Sequence, residues 1–332
     1  MGNKLSEKLN FWFEVTRAYS FPMSVMSWLI PFIFGVCDGG NIFFGIVALF
    51  GIVFVHAGTN MFDDFADYII EKRRIDMGLK ENFNFQKGKC RHLISGEITL
   101  KQLFFVIVFY FLMALLCGFY LFLNSGYEIL YVVVPAAILA VLYPFCSYAA
   151  LGEVVVAIMF APLLYSGVYF VMTGGFSSEL LPLAVSTGLL TVGLLHAHML
   201  LDFDFDALNK KVTLCSLAKT KDNALMTQVF IETFAYLNIL AFCVFGKLSY
   251  SYLLCFLSLP TAVILFFLLK DDKFSAFKPN FLYGPLEKLS EYKQNSCYEF
   301  MLKFMVARNV MVEFTVLVCI SKILTEIFNV YF

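Results

Sequence analysis

Long apolar stretches alternate along the chain with short polar ones. Nine of the apolar stretches lie near 19–37, 42–62, 102–123, 127–146, 151–173, 180–201, 224–246, 249–269 and 306–328. Each approaches the ~20 residues that a helix needs to cross a hydrocarbon core of ~30 Å. The apolar run at 127–173 is broken by Pro144 and Gly152, which read as a short turn between two spans. The pattern predicts an all-α, polytopic membrane bundle of nine transmembrane helices. It forms one membrane-embedded domain over residues 1–332.

Composition narrows the class further. Hydrophobic residues make up 60% of the chain, charged residues 15%, and phenylalanine alone numbers 40. A soluble protein is ~45–50% apolar and ~25% charged. The excess of apolar side chains excludes a soluble globule of this size, and the low charge excludes a disordered chain. A net charge of −1 gives no reason to expect nucleic acid as a partner. The nine cysteines are scattered, without CxxC pairs or metal-like spacing, and read as small apolar residues.

Lysine and arginine set the orientation. Three lie in 1–18, eight in 63–101, four in 202–223 and seven in 270–308, so only Lys247 and Lys322 of the 24 fall on the other side. The positive-inside rule then places the N-terminus in the cytoplasm and the C-terminus outside, as an odd number of spans requires. The expected location is the cell membrane, with the polar face toward the cytoplasm. The polar N-terminus shows no cleavable signal peptide. Its start, MGNKLS, fits a myristoylation pattern, but a nine-span protein needs no lipid anchor.

Two of the cytoplasmic segments carry clustered carboxylates at the inner end of a span. The first is GTNMFDDFADYIIEKRRID at 58–76 and the second HMLLDFDFDALNKKVTL at 198–214. Asp63, Asp67 and Glu71 share one helix face, with Asp64 one step away, and Asp202 and Asp206 share another. Like charges at i, i+4 repel, and ionised groups near a bilayer are costly, so cations should compensate. Hard oxygen ligands favour magnesium, typically held by few carboxylates together with substrate phosphates. Basic residues follow both clusters: Lys87, Lys89 and Arg91 after the first, Lys210 and Lys211 after the second. A single charge run is usually a solvated loop. Two at equivalent helix ends, each trailed by cations, point to one shared site. Each cluster ends the second span of a four-span block, which hints at a four-plus-four duplication with a ninth span appended.

These residues resemble the UbiA superfamily of intramembrane prenyltransferases, whose motifs run near NDxxDxxxD and DxxxD. Here the first reads Asp63-Asp64-x-x-Asp67-x-x-x-Glu71, with Asp for Asn and Glu for Asp, and the second is complete at Asp202 and Asp206. Further similarity points to the branch that prenylates 1,4-dihydroxy-2-naphthoate in menaquinone synthesis. Its DxxxDxxxxKxTL pattern is similar to Asp202, Asp206, Lys211, Thr213 and Leu214. Its GLGE turn resembles Leu151-Gly152-Glu153, and its TG-ending segment resembles GVYFVMTG at 167–174. The lead-in to the second motif departs from the branch, with His198 for Asn, and Met172 stands where the branch has Gln.

The resemblance implies transfer of a polyprenyl group from polyprenyl diphosphate to an aromatic acceptor, in a cavity facing the cytoplasm. Asp64, Asp67, Asp202 and Asp206 would be catalytic. Those four with Asp63 and Glu71 would hold magnesium. Lys211, with Arg91 or Lys89, would hold the diphosphate. Asn60 and Arg17, by family position, would orient the acceptor, with Tyr143 lining the pocket at the inner end of the fourth span. His198 precedes Asp202 by a helical turn and is placed to bond it, whereas His196 reads as a core histidine. Lipid is the expected surrounding and no obligate protein partner is implied. An acceptor such as 4-hydroxybenzoate is the nearest alternative. A membrane transporter with acidic ion sites is the alternative of another class, though such sites usually lie near the bilayer midplane. The DGxxAR signature of CDP-alcohol phosphotransferases is absent.

Overall fold

The computed structural model describes residues 2–83, 90–147, 149–204, 212–271, 289 and 298–331. Ten helices organise these residues. They are α1 (Gly2–Val15), α2 (Phe21–Cys37), α3 (Ile42–Asp76), α4 (Leu100–Ser125), α5 (Leu130–Cys146), α6 (Gly152–Thr173), α7 (Leu180–Leu201), α8 (Lys221–Val244), α9 (Leu259–Lys270) and α10 (Tyr298–Tyr331). A 3₁₀ stretch, Tyr250–Ser258, leads into α9. Among the described residues eight helices are long and apolar enough to cross a membrane. The ninth stretch expected from the sequence falls within α10. That stretch carries Arg308, Glu313, Lys322 and Glu326.

The ends of the helices are written locally. Asn41 caps α3 by accepting from the backbone N–H groups of Phe43 and Phe44. Thr99 and Gln102 form a capping box at the start of α4, and Thr220 caps α8. Gly174, at φ +75°, ends α6 in the left-handed conformation that a side chain disfavours. Within α6, Pro162 sits in a π-helical segment, Met159–Leu163, as expected where a missing N–H interrupts the ladder.

Burial sorts the helices between centre and periphery. α7 buries 72% of its apolar window and α4 only 11%, so α7 is central and α4 turns its phenylalanines and leucines outward. α10 packs against α2, α7 and the 3₁₀ stretch, closing the second half of the bundle. Chain direction alternates, so the ends of the spans sort into two groups. One end carries Arg17, the C-terminal part of α3, the start of α6 and Asp202. The other carries Asp38, Glu179 and Lys322. There Lys322 Nζ lies 2.6 Å from Glu326, 3.5 Å from Glu179 and 3.7 Å from Asp38, over the ring of Phe34. One cation therefore ties α2, α7 and α10 together.

Lipid tails drive little helix association, so close packing needs small residues at the contact. Trp28 Nε1 donates to the Gly45 carbonyl at 2.8 Å, which fixes α2 against α3. A Cβ on Gly45 would lie 2.6 Å from Phe32 Cδ2 and 2.7 Å from Met172 Sδ. Phe32 cannot easily swing away, because it stacks on Trp28 at 4.3 Å. Gly45→Val is therefore expected to lower the melting temperature in detergent, by a loss of about 1–3 kcal/mol typical of overpacking. An unchanged melting curve would mean that α2 and α3 are not held at this contact.

Candidate active site

α3 is a helix of 35 residues, long enough to cross a membrane and to extend beyond it. The extension carries the first acidic run. Asp63, Asp67 and Glu71 are buried along one face, as the i, i+4 spacing predicts. α7 ends at Leu201, and Asp202 is its C-cap. The two acidic motifs begin far apart in the chain, yet Asp63, Asp64 and Asp202 line the same cavity.

That cavity measures about 1960 Å³. A pocket for a drug-sized ligand is about 300–1,000 Å³, so this one is far larger. Its mouth is polar, with Arg17, Asn60, Arg91, His92, Tyr143 and His198 beside the aspartates. Its far part is apolar, walled by Leu121, Phe122, Ile129, Val132 and Val171. On α4 the lining runs from Leu103 to Phe122. At 1.5 Å per residue those nineteen steps span roughly 28 Å, close to the ~30 Å of a hydrocarbon core.

Arg17 faces the first motif. Its Nη1 lies 3.4 Å from Asp63 Oδ2, and Nη2 donates to Asp64 Oδ1. Burial works against the guanidinium's charge, but Asp64 and Asp63 outweigh it, and the group holds its proton more tightly than an ordinary arginine. The residue expected to orient an acceptor is thus bound to the carboxylates themselves. Asn60 lines the cavity one turn before Asp64, as its spacing predicts, and Tyr143 lines it from α5.

The remaining site residues divide. Asp67 is buried on the α3 face but does not line the cavity, and neither does Glu71. Glu71, grouped with the metal ligands on spacing, is engaged by Arg74 at 3.0 Å and Lys80 at 2.9 Å, which fasten the loop leaving α3. Arg91 lines the cavity and its Nη1 lies 3.7 Å from Glu14. Its neighbour His92 contacts Glu14 and Glu97, at 3.3 and 2.5 Å, joining α1 to the loop. His198 stands beside Asp202, but its Nδ1 lies 3.7 Å from Oδ2, too far for the expected hydrogen bond, and its ring is edge-on to Phe300 and Phe304 of α10. His196 is fully buried against the Ala224 carbonyl, a core histidine. Lys89, Asp206 and Lys211 lie outside the described residues.

Two positions gain a role that their spacing alone did not reveal. Glu153, 2% exposed, accepts from the Leu214 N–H at 3.1 Å, and the Val212 carbonyl accepts from the Ala150 N–H. Thr213 caps the turn Leu214–Leu217. The turn before α6 therefore clamps the return of the second acidic loop. The matched GLGE and TL motifs are the two sides of that clamp.

The aspartates of the mouth are hard oxygen donors of the kind that suits magnesium, with Cys90 and His198 also in the lining. Among the described residues no three acidic, histidine or cysteine side chains surround one ion position. The set fits an ion held jointly by a few carboxylates and a substrate's phosphates.

The family model of the UbiA prenyltransferase family matches residues 24–284. A 1,4-dihydroxy-2-naphthoate octaprenyltransferase of Haemophilus influenzae is 24% identical over 270 residues, covering 77% of this chain and 84% of that one. Among solved structures, a UbiA homologue of Archaeoglobus fulgidus bound to DMAPP and Mg2+ aligns with a TM-score of 0.60 at 13% identity. It covers 89% of this chain and 98% of that one. A digeranylgeranylglyceryl phosphate synthase aligns with a TM-score of 0.55 at 16% identity, covering 94% and 99%.

If Arg17 balances the first motif, its loss should be felt most when no other cation is present. Arg17→Gln is expected to melt below wild type in EDTA and to recover most of the difference in millimolar magnesium, since a ligand that binds the folded state stabilises it. A gap unchanged by magnesium would show that Arg17 and a cation do not share the site.

Proposed function

Since the chain belongs to the UbiA prenyltransferase family, we propose that it transfers a polyprenyl group from a polyprenyl diphosphate to 1,4-dihydroxy-2-naphthoate. The observation that carries the reading is the cavity itself, with aspartates of both motifs at its mouth and an apolar wall running most of a membrane's depth. The naphthoate acceptor is supported by the Haemophilus influenzae relative and by the clamp that joins Glu153 to Leu214. In this reading the protein has nine spans, with the N-terminus and the cavity mouth in the cytoplasm. α10 supplies the ninth.

The residues divide the work. Asp63, Asp64, Asp202 and Asp206 are the oxygen donors that would hold magnesium, with Asp67 one turn behind Asp63 on the buried face of α3 and Glu71 set back on its two cations. Bound magnesium supplies positive charge to the phosphate oxygens of the donor. Arg91, Lys89 and Lys211 add charged donors for the oxygens that remain, so that negative charge on the departing diphosphate is stabilised. Bond cleavage leaves an allylic cation at the first carbon of the chain. The aromatic faces at the mouth, Tyr143, Phe300 and Phe304 among them, favour a nearby cation through their quadrupoles. The electron-rich ring of the acceptor then attacks, and its carboxylate leaves as carbon dioxide. Asn60 is placed to orient that ring.

The depth of the apolar wall favours a long donor. Each isoprene unit adds four chain bonds of about 1.5 Å, roughly 5 Å when extended, so the ~28 Å wall along α4 accommodates more than five units. Gly118 lines this wall, and a Cβ added there would meet nothing within 4 Å. Gly118→Trp is expected to leave turnover of short donors near wild type and to reduce that of donors beyond about five units by tenfold or more, an estimate from filling a cavity without strain. Equal turnover of long donors by both proteins would remove the tail from this wall.

The central test offers one long prenyl diphosphate with either 1,4-dihydroxy-2-naphthoate or 4-hydroxybenzoate. Product from the naphthoate, lost in Asp64→Ala and Asp206→Ala while both variants remain membrane-inserted, is the expected result. Product from 4-hydroxybenzoate alone would move the protein to a sister branch. Cation transport without product from either acceptor would favour a transporter.

A further inference from the structure

One buried carboxyl group near the mouth takes no part in the scheme above. Glu153 stands in the first turn of α6, is buried and does not line the cavity, so it touches no ligand held there. Its Oε1 accepts from the Leu214 N–H at 3.1 Å. Leu214 opens the short turn Leu214–Leu217, whose first N–H groups have no partner within the turn. Glu153 supplies that partner from another helix. Beside it the Ala150 N–H donates to the Val212 carbonyl at 3.0 Å, and Ala149 and Val212 form a parallel bridge.

The receiving turn is set firmly. Ala150 holds a left-handed backbone at φ +55°, which a non-glycine residue keeps only where its surroundings fix it. The Ser147 N–H donates to the Tyr143 carbonyl at 3.0 Å, and the Leu151 N–H to the Cys146 carbonyl at 3.1 Å. A Cβ on Gly152 would lie 3.2 Å from Ser147 Cα, so α6 starts close against the end of α5. Tyr143 and Ser147, at the near side of this turn, line the cavity. The contact therefore joins the wall of the mouth to the point where the second acidic loop returns. That loop leaves α7 at Asp202, also in the lining, and has Asp206 and Lys211 among the nine residues before Val212.

We propose that Glu153 is a positioning residue for the binding of a divalent cation with a diphosphate, acting through Leu214 by pinning the returning end of the loop that carries Asp206 and Lys211. The identity of that ligand rests on the prenyl-transfer reading, whereas the clamp itself does not. Loop closure gives the scale. With the clamp open, the next buried hydrogen bond to another helix is that of His196 Nε2 to the Ala224 carbonyl, at 2.9 Å. A tether of nine residues then becomes one of up to twenty-one. Chain entropy alone lowers the concentration of the loop's groups at the mouth by roughly fourfold. Loss of an outer-shell partner commonly weakens metal binding by about tenfold or more. The Leu214 N–H asks only for an acceptor, so an amide oxygen at the same reach serves as well as a carboxyl oxygen.

The test measures binding as well as transfer, so that the two readings can fail separately. Full-length protein in detergent is titrated calorimetrically with inorganic pyrophosphate over a series of magnesium concentrations. Glu153→Met is expected to raise the magnesium concentration for half-maximal pyrophosphate binding by about fourfold to tenfold. Glu153→Gln, which keeps the acceptor oxygen, is expected to bind as wild type does. Added to Asp206→Ala, Glu153→Met should cost less than it does alone, because both act through one loop. In turnover assays the KM for the aromatic acceptor should stay within about twofold of wild type, taken as the scatter of an uninvolved site. A merely structural role would lower the melting temperature of Glu153→Met and leave the magnesium midpoint where it was. That result, a midpoint shift shared by Glu153→Gln, full additivity with Asp206→Ala, or an equal rise in the acceptor's KM would overturn the proposal. Magnesium-dependent pyrophosphate binding without any transfer would overturn the prenyl-transfer reading and leave this one standing. No binding by wild type would overturn both. Should Glu153→Met fail to fold, Glu153→Asp decides. Its carboxyl group is drawn back by about 1.5 Å, one carbon–carbon bond, so its midpoint must rise while that of Glu153→Gln does not.

Discussion

The structure depends on bringing like charges together where a membrane makes charge expensive. Asp63, Asp64 and Asp202 come from two halves of the chain and line one cavity mouth. Such an arrangement is stable only if cations and hydrogen bonds accompany the carboxylates. The chain supplies some of that balance itself. Arg17 binds Asp63 and Asp64, Arg74 and Lys80 bind Glu71, and His198 stands beside Asp202. Arg17 precedes α2 and Lys80 follows α3, so neutralising the acids also fixes the segments that flank the spans. Arg17 adopts a left-handed backbone, at φ +51°, in the turn that delivers its side chain to α3. A non-glycine residue holds that conformation only where its surroundings favour it, and the two aspartates provide the reason.

Much of this was legible in the sequence, because the strongest signals are periodic. Apolar stretches of span length become helices wherever caps or glycines end them, and eight of the nine emerge as membrane-long helices. α10 was also legible as a helix. Its predicted stretch carries four ionisable residues, of which Lys322 is a cross-brace among Asp38, Glu179 and Glu326 rather than a lipid-facing residue. The acidic face of α3 followed directly from i, i+4 spacing, and so did the placement of Asn60 one turn earlier.

Other features were not legible, because they depend on contacts between distant segments. Spacing put Glu71 with Asp63 and Asp67 but carried no sign that Lys80, beyond the end of α3, would return to it. The sequence offered Arg17 as an acceptor ligand, yet only the folded turn shows it bound to aspartates on the next helix. His56 is a lone histidine in an apolar stretch. Nothing in its neighbourhood along the chain foretells two serines of the preceding element closing on its ring. Glu153 and Leu214 were matched as separate motifs, and their meaning appears only when one accepts a hydrogen bond from the other.

Polarity along the cavity follows a definite order. At the mouth are ionised groups, one turn deeper a neutral network of Ser20, Ser24, His56 and Asn60, and beyond it a wall of leucine, valine and phenylalanine. A prenyl donor and a hydroxylated aromatic acceptor present the matching order: a charged diphosphate, neutral polar ring substituents and a hydrocarbon tail. The order argues against a permeating ion, which needs polar coordination along its route. In the described part of the deep wall there is no carboxylate or cation to provide it. It also explains why the middle layer is neutral. A charged side chain there would sit within reach of the carboxylates and of the reacting carbon. Hydrogen bonds between amide, imidazole and hydroxyl groups instead give orientation without adding charge.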